Sequence, residues 1–280
     1  MQIDKSPPPE YNDVNHFTRR RIIMYANYHT HTLRCNHAEG LDREYVESAI
    51  NAGFKILGFS DHTPMPFKGE YYSYFRMRMH ETEEYINSIN KLKEEFKNDI
   101  KIYTGFETEY YPAHFDDLLK FLDNFEYDYM ILGQHFADNE VESPYVAREN
   151  SDKDLLKRYY DQILEGYRTG KFTYIAHPDL YNFVGDPDYY RDVIYDFCRE
   201  AKNLGAVLEI NQLGFTSKRN YPTPAFWDVA AEVGNTAILG CDAHKPSAFE
   251  KKSAQEKIRN IAISRGIKLI DEIQPKRVKE

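Results

Sequence analysis

REYVESAINAGFKILGFSDH, residues 43–62, reads as one helix-to-strand unit with reactive side chains at its end. Arg43–Ala52 is amphipathic and predicts a helix. Ile56–Phe59 is a short apolar run set off by glycine and predicts a strand, and Ser60-Asp61-His62 follows it directly. The same alternation extends in both directions. Further strands are expected at Ile22–Tyr28, Ile100–Gly105, Tyr129–Leu132, Tyr174–Ala176, Ala206–Ile210 and Thr236–Leu239. Helical patterns lie between them at Thr82–Lys97, Phe115–Asn124, Lys153–Arg168, Tyr190–Leu204, Ala225–Val233 and Ser247–Ile263. In the first of these, Tyr85, Ile89, Leu92 and Phe96 recur at three- and four-residue steps.

Seven alternations of strand and helix imply a parallel sheet with crossover helices. The chain has 280 residues, the length of one large α/β domain. The expected architecture is a distorted (β/α)7 barrel, TIM-barrel-like, over residues 21–280. A doubly wound open sheet is the alternative. Residues 1–20 lack periodicity and contain Pro7, Pro8 and Pro9, which resist helix and ladder alike, so an extended N-terminal arm is expected there.

Composition narrows the function. The formal net charge is −9, unsuited to a long nucleic acid, whose phosphates need lysine and arginine. A small phosphorylated substrate is compatible, because bound divalent ions can supply the positive charge. The three cysteines, Cys35, Cys198 and Cys241, form no disulfide framework or CxxC pair. The N-terminus has no signal-peptide pattern, and no apolar run is long enough to span a membrane. A cytoplasmic protein without a membrane partner is expected.

Histidines carry the strongest signal. Of ten, seven fall at or just beyond predicted strand ends: His29, His31, His37, His62, His135, His177 and His244. Glu107 and Asp242 end two further strand runs. In parallel β/α folds these ends converge on one face, and residues two apart in a strand point the same way. Nine imidazole and carboxylate candidates exceed the needs of one ion, so two or three divalent ions are expected, with Zn, Mn or Fe suited to these ligands. Adjacent ions generate hydroxide near neutral pH and stabilise attacking and leaving oxygens together, which favours phosphoryl chemistry. His16, His80 and His114 are read as ordinary surface or hydrogen-bonded histidines. Asp61 is read as a partner of a ligand rather than a ligand, and Cys35 and Cys241 as small buried residues.

At these positions the sequence resembles the polymerase-and-histidinol-phosphatase (PHP) superfamily of metal-dependent phosphoesterases. The resemblance spans residues 25–246 and rests on His29-Thr30-His31 with His37, Ser60-Asp61-His62, Glu107, His135, His177 and Asp242-Ala243-His244. It implies a trinuclear site. His29, His31, Glu107 and Asp242 would hold one ion, and His37, His62 and His244 the second. Glu107, His135 and His177 would hold the third. The segments Gly58–Pro64, Arg76–Met79, Gly105–Pro112, Ile131–Phe136 and Leu208–Asn211 are similar to those of histidinol-phosphate phosphatases of histidine biosynthesis. Hydrolysis of L-histidinol phosphate to L-histidinol and phosphate is the activity implied.

Asp242 or His244 would hold the attacking water or protonate the leaving alkoxide. Arg148 and Arg219, in loops after strands, are candidate phosphate contacts, whereas Arg76 and Arg78 read as solvated surface charges. A substrate amine would want a carboxylate, and Glu109, Asp138 and Glu142 are the candidates. Pro64–His80 holds Tyr71, Tyr72, Tyr74 and Phe75 and is either a lid or an aromatic rim. Three readings compete. A PHP enzyme for nucleotides differs only in substrate. A metal-dependent amidohydrolase also uses HxH after its first strand, but wants a bridging lysine. A non-catalytic metal-binding protein would keep the ligands without activity.

Overall fold

The computed structural model describes residues 24–276. The proposed arm 1–20, with His16, lies outside the described residues. The element order is β1 (Ala26–Asn27), α1 (Asp42–Ala52), β2 (Ile56–His62), α2 (Thr82–Glu95), β3 (Lys101–Thr108), α3 (Phe115–Leu122), β4 (Tyr129–Leu132), α4 (Lys153–Arg168), α5 (Pro187–Asn203), β5 (Val207–Asn211), α6 (Gln212–Thr216), α7 (Pro224–Val233), β6 (Thr236–Gly240), α8 (Lys252–Arg265) and β7 (Lys268–Leu269).

Two wholly parallel sheets result, one ordered β1-β2-β3-β4 and the other β5-β6-β7. The fold is thus α/β with a curled parallel sheet. Between the sheets, pairing narrows to single bridges. Ile175 bridges Leu132 on one side and Leu208 on the other, and Thr30 bridges Ala243. Tyr174–Ala176, expected as a strand, is therefore reduced to one bridged residue. Its backbone still bonds both neighbours, with Leu132 N donating to Tyr174 O at 3.0 Å and Ile175 N to Val207 O at 3.0 Å. His177 then turns the chain out of the extended region at φ 28°, ahead of Pro178, which stops the ladder.

Local chemistry explains most boundaries. Gly53, at φ 98°, ends α1 by donating to Ala49 O and Ile50 O. Asp152 and Asp186 cap α4 and α5 through their carboxylates, and Pro187 occupies the first turn of α5. The stretch predicted as one helix over Ser247–Ile263 divides at Lys251 into a short 3-10 turn, Pro246–Glu250, and α8. No helix among the described residues is long and apolar enough to cross a membrane.

The core has two layers. One packs the helices against the outside of the sheet. The other fills the inside of the curl with Ala26, Tyr28, Ile56, Tyr103, Tyr129, Ile131, Tyr174, Ala176, Val207 and Ile238. The Tyr129 ring lies where side chains at Gly58 and Gly105 would be, and its hydroxyl donates to Tyr28 O at 2.7 Å and Phe59 O at 3.1 Å. Because strand side chains alternate, the inward register that starts at Ile56, Tyr103 and Val207 runs on through Gly58, Gly105 and Glu209 to His62, Glu107 and Asn211. The apolar floor thus gives way to polar groups at the carboxyl ends of the strands.

Candidate metal centre

All nine predicted ligands meet at that end. His29, which continues β1, is fully buried, with Nε2 3.4 Å from Glu107 Oε1 and 3.5 Å from Asp242 Oδ1. His31 Nε2 lies 3.2 Å from Asp242 Oδ1 and 3.5 Å from Glu107 Oε2. His177 Nε2 is 2.8 Å from Glu107 Oε1, and His135 Nε2 is 3.8 Å from the same oxygen. His244 Nε2 and His37 Nε2 are 3.0 Å apart. Asp242 takes φ 49°, a left-handed turn that sets its carboxylate between His29, His31 and His244.

Ligand atoms gather within 4.8 Å of one another in overlapping groups: His29, His31 and Asp242; His29, Glu107 and His177; His31, His62 and His244; Cys35, His37 and His244. The groups share members, as one cluster of ligands around adjacent sites would. His62 and His244 come together with His31, and His37 groups with Cys35 and His244.

The donor set fits cations. His29 Nε2, His31 Nε2, His62 Nδ1, Glu107 Oε2 and Asp242 Oδ1 are buried without a hydrogen-bond partner. His62 Nδ1 is 3.0 Å from Glu107 Oε2, yet no aligned hydrogen bond joins them. A buried polar atom left unpaired costs about 1–3 kcal/mol, so several facing one another call for an ion between them.

Charges follow the same geometry. Burial alone would lower His29, but Glu209, Asp242 and Glu107 outweigh it and hold the imidazole well above its ordinary range. His31 behaves likewise, burial being overcome by Asp242 and Asp61. Burial would raise Glu107 and Asp242, and the surrounding histidines hold both well below the carboxylate range. His135 and His244 are each pushed down to about 3, mainly by burial, with neighbouring imidazoles adding to it. Burial and His31 lower His37, and burial lowers His62 well below its usual value. His37, His62, His135 and His244 are thus held in the neutral form that metal ligation requires, beside ionised Glu107 and Asp242, whereas His29 and His31 would release a proton to an incoming ion.

Several ligands are held from behind. His29 Nδ1 contacts Glu209 at 2.9 and 3.1 Å, His135 Nδ1 contacts Glu109 Oε1 at 3.0 Å, and His31 Nδ1 faces Asp61 Oδ1 at 3.5 Å. Cys35 and Cys241 are buried, and burial raises both thiols.

A cleft of about 790 Å³ opens over the cluster. Arg148 and Arg219 line it, both exposed, with Tyr145 and Tyr221, and Arg219 donates to the Tyr221 hydroxyl at 3.1 Å. Tyr71, Tyr74 and Phe75 of the 64–80 segment also line it, so that segment forms part of the wall. His80 and His114 take no part: His80 is exposed, and His114 packs edge-on against Phe67.

Two expectations need correction. Arg76 is not a solvated charge. It is 1% exposed, paired with Glu109 and Glu140, and stacked over Phe75 at 4.6 Å. The carboxylates suggested for an amine are engaged elsewhere: Glu109 by His135, Tyr111 and Arg76, Asp138 by Arg158, and Glu142 by Asn139. Glu140 lines the cleft instead. Sequence reading named its neighbours Asp138 and Glu142 but not Glu140, because no local pattern marks which of the three turns to the cleft. Glu209 and Asn211 were legible in principle, as polar residues two apart in an otherwise apolar buried strand.

Comparison with known proteins agrees with this geometry. The family model described as PHP domain matches residues 27–213. A probable histidinol-phosphatase of Deinococcus radiodurans is 33% identical over 243 residues, covering 83% of this chain and 92% of that protein. The histidinol-phosphatase of Lactococcus lactis is 26% identical over 234 residues, covering 78% and 83%. The crystal structure of histidinol phosphate phosphatase from Lactococcus lactis, complexed with zinc, L-histidinol and phosphate, shares the fold at a TM-score of 0.69 and 22% identity, covering 89% of this chain and 98% of its own. With the family model spanning well over half of its length, and a relative 33% identical over an alignment that covers 83% of it, this chain belongs to the PHP domain family.

Proposed function

We propose that this protein hydrolyses L-histidinol phosphate to L-histidinol and phosphate, using two or three divalent ions, Zn, Mn or Fe. The observation that carries the reading is the set of buried, unpaired nitrogen and oxygen atoms from His29, His31, His62, Glu107 and Asp242, the last four lining the cleft and His29 lying directly behind Glu107 and Asp242. The ligands would be these five with His37, His135, His177 and His244. When bound, the ions supply charge neutralisation for the phosphoryl oxygens and activation of water near neutral pH.

The chain's own residues do the rest. Arg148 and Arg219 orient the phosphate from the rim, as guanidinium forks do. Tyr71, Tyr74 and Phe75 cover the opposite wall and exclude water. Proton handling falls to Asp242. His244 uses Nδ1 on the Asp242 carbonyl oxygen at 3.1 Å and turns Nε2 to the cluster. Glu140, on the cleft wall, has Oε2 held by Arg76 and Oε1 accepting from the Tyr71 hydroxyl, so Oε1 is the carboxylate oxygen left to an ammonium group, a pairing an amino alcohol ester needs and a nucleotide does not.

We also read the two sheets as arcs of one distorted seven-stranded barrel, supported by the bridges at Ile175 and between Thr30 and Ala243. Three free, buried cysteines fit the reducing cytoplasm.

The test is phosphate release from L-histidinol phosphate, AMP and p-nitrophenyl phosphate with each metal restored, and His31→Ala as control. Strong preference for histidinol phosphate, lost in the variant, is expected. Cleavage of the other esters alone would overturn the substrate, and no cleavage would overturn the chemistry.

A further inference from the structure

The structure assigns Glu209 and Asn211, side by side on β5 and outside the ligand set, as positioning residues that lock His29 and Asp242 for one of the ions. The inference rests on the metal reading above. Glu209 is fully buried and takes the Nδ1 side of His29 at 2.9 and 3.1 Å. An acceptor-only carboxylate there fixes the tautomer with the proton on Nδ1, which leaves the Nε2 lone pair toward Glu107 and Asp242.

Asn211, two residues on, shares the face of Glu209. Its Nδ2 donates to Glu209 Oε1 at 2.7 Å and to Asp242 Oδ2 at 3.1 Å. That bond occupies one oxygen of Asp242 and turns the other, Oδ1, toward His29, His31 and His244. The Asn211 carbonyl oxygen accepts from Gly214 N at 2.9 Å, so the amide cannot flip without losing all three bonds. Tyr174 closes the network by donating to Glu209 Oε2 at 3.0 Å. The neighbouring strand makes room for it: a side chain at Gly240 would collide with the Glu209 carboxylate. One strand thereby aligns ligands contributed by chain segments on either side of it in sequence.

Glu209 reaches His29 and, through Asn211, Asp242, but none of the other ligands. Its removal is therefore expected to weaken one ion selectively. Glu209→Gln and Tyr174→Phe would be prepared beside the parent protein. Metal content after graded dialysis against chelator, the visible spectrum of the cobalt-substituted form, and urea unfolding of the metal-free form would be measured. Glu209→Gln should lose one ion about 10–100-fold more readily than the parent, change the cobalt spectrum, and unfold metal-free at the parental midpoint. Tyr174→Phe, which leaves the His29 contact in place, should retain its metal as the parent does. Parental retention and spectrum in Glu209→Gln would overturn the assignment. So would equal weakening of every ion, or failure of the metal-free variant to fold, since either marks a general structural role. A parent protein that binds no ion would overturn the metal reading itself, and the inference with it.

Discussion

Arg76→Ala should be among the most damaging single changes outside the ligand set. The guanidinium is enclosed, and among the described residues it is the one arginine or lysine paired with the carboxylates of Glu109 and Glu140, each about 1% exposed. Removing one partner of a buried ion pair costs about 3–5 kcal/mol, because the other charge is left without compensation. Neutral donors moderate this. Glu109 keeps the Tyr111 hydroxyl at 2.6 Å and His135 N at 3.1 Å, and Glu140 keeps the Tyr71 hydroxyl at 3.2 Å and an edge on the cleft. About 3 kcal/mol is therefore expected, or roughly 6 °C in melting temperature for a domain of this size. The assay is urea unfolding of the metal-free protein, beside Arg76→Lys and the double variant Arg76→Ala/Glu140→Gln. The lysine should recover part of the loss, since it keeps the charge without the fork. The double variant should be less damaged than the two single losses added, by about 1 kcal/mol or more, because one stranded charge has been removed with its partner. A cost below about 1 kcal/mol for Arg76→Ala, or strict additivity in the cycle, would mean that water screens these groups, and the reasoning would fail.

Metal removal by chelator should lower the unfolding midpoint. At 100 times the dissociation constant an ion contributes about 2.7 kcal/mol, and calorimetry with and without added zinc checks it. Gly105→Ala should destabilise by about 1–3 kcal/mol, since the new methyl group meets the Tyr129 ring and must displace it; equilibrium unfolding reads the loss. Glu140→Gln should raise KM for histidinol phosphate about tenfold while leaving p-nitrophenyl phosphate unchanged, a difference that steady-state kinetics resolves. Equal effects on both esters would remove Glu140 from amine recognition.

What was legible in the sequence follows from what strand ends do. The six residues His29, His31, His62, Glu107, His135 and His177 continue or closely follow short apolar runs, and a parallel fold gathers such positions whatever its loops do. The inner floor of the curl could be read in the same period of two, from Tyr129 and Ile131 to Tyr174 and Ala176. What escaped was set by tertiary partners. Tyr174–Ala176 has the composition of a strand, but its ladder ends in a left-handed histidine that no local pattern announces. Arg76 looked solvated because its partners Glu109 and Glu140 lie more than thirty residues away in sequence, where no local pattern points to them. Nothing in the sequence ranked the three carboxylates proposed for an amine, and each answers a nearer cation, imidazole or amide.

The charge of the cleft explains why a phosphatase of this kind can be acidic overall. Asp61, Glu107, Glu109, Glu140, Glu209 and Asp242 surround the cluster, and Arg76, Arg148 and Arg219 oppose them. Even with His29 and His31 carrying protons the carboxylates are in excess. Without ions the charges nearly balance, so the cleft offers a phosphate little attraction beyond Arg148 and Arg219 at the rim. Each divalent ion reverses that balance locally, so ester affinity and ion affinity are coupled. By reciprocity, a bound phosphate tightens ion binding by the same factor as the ions tighten phosphate binding. On the proposed reading, Arg148 and Arg219 would need only to orient the phosphate, because the ions would supply the attraction and the carboxylates would keep those ions in place.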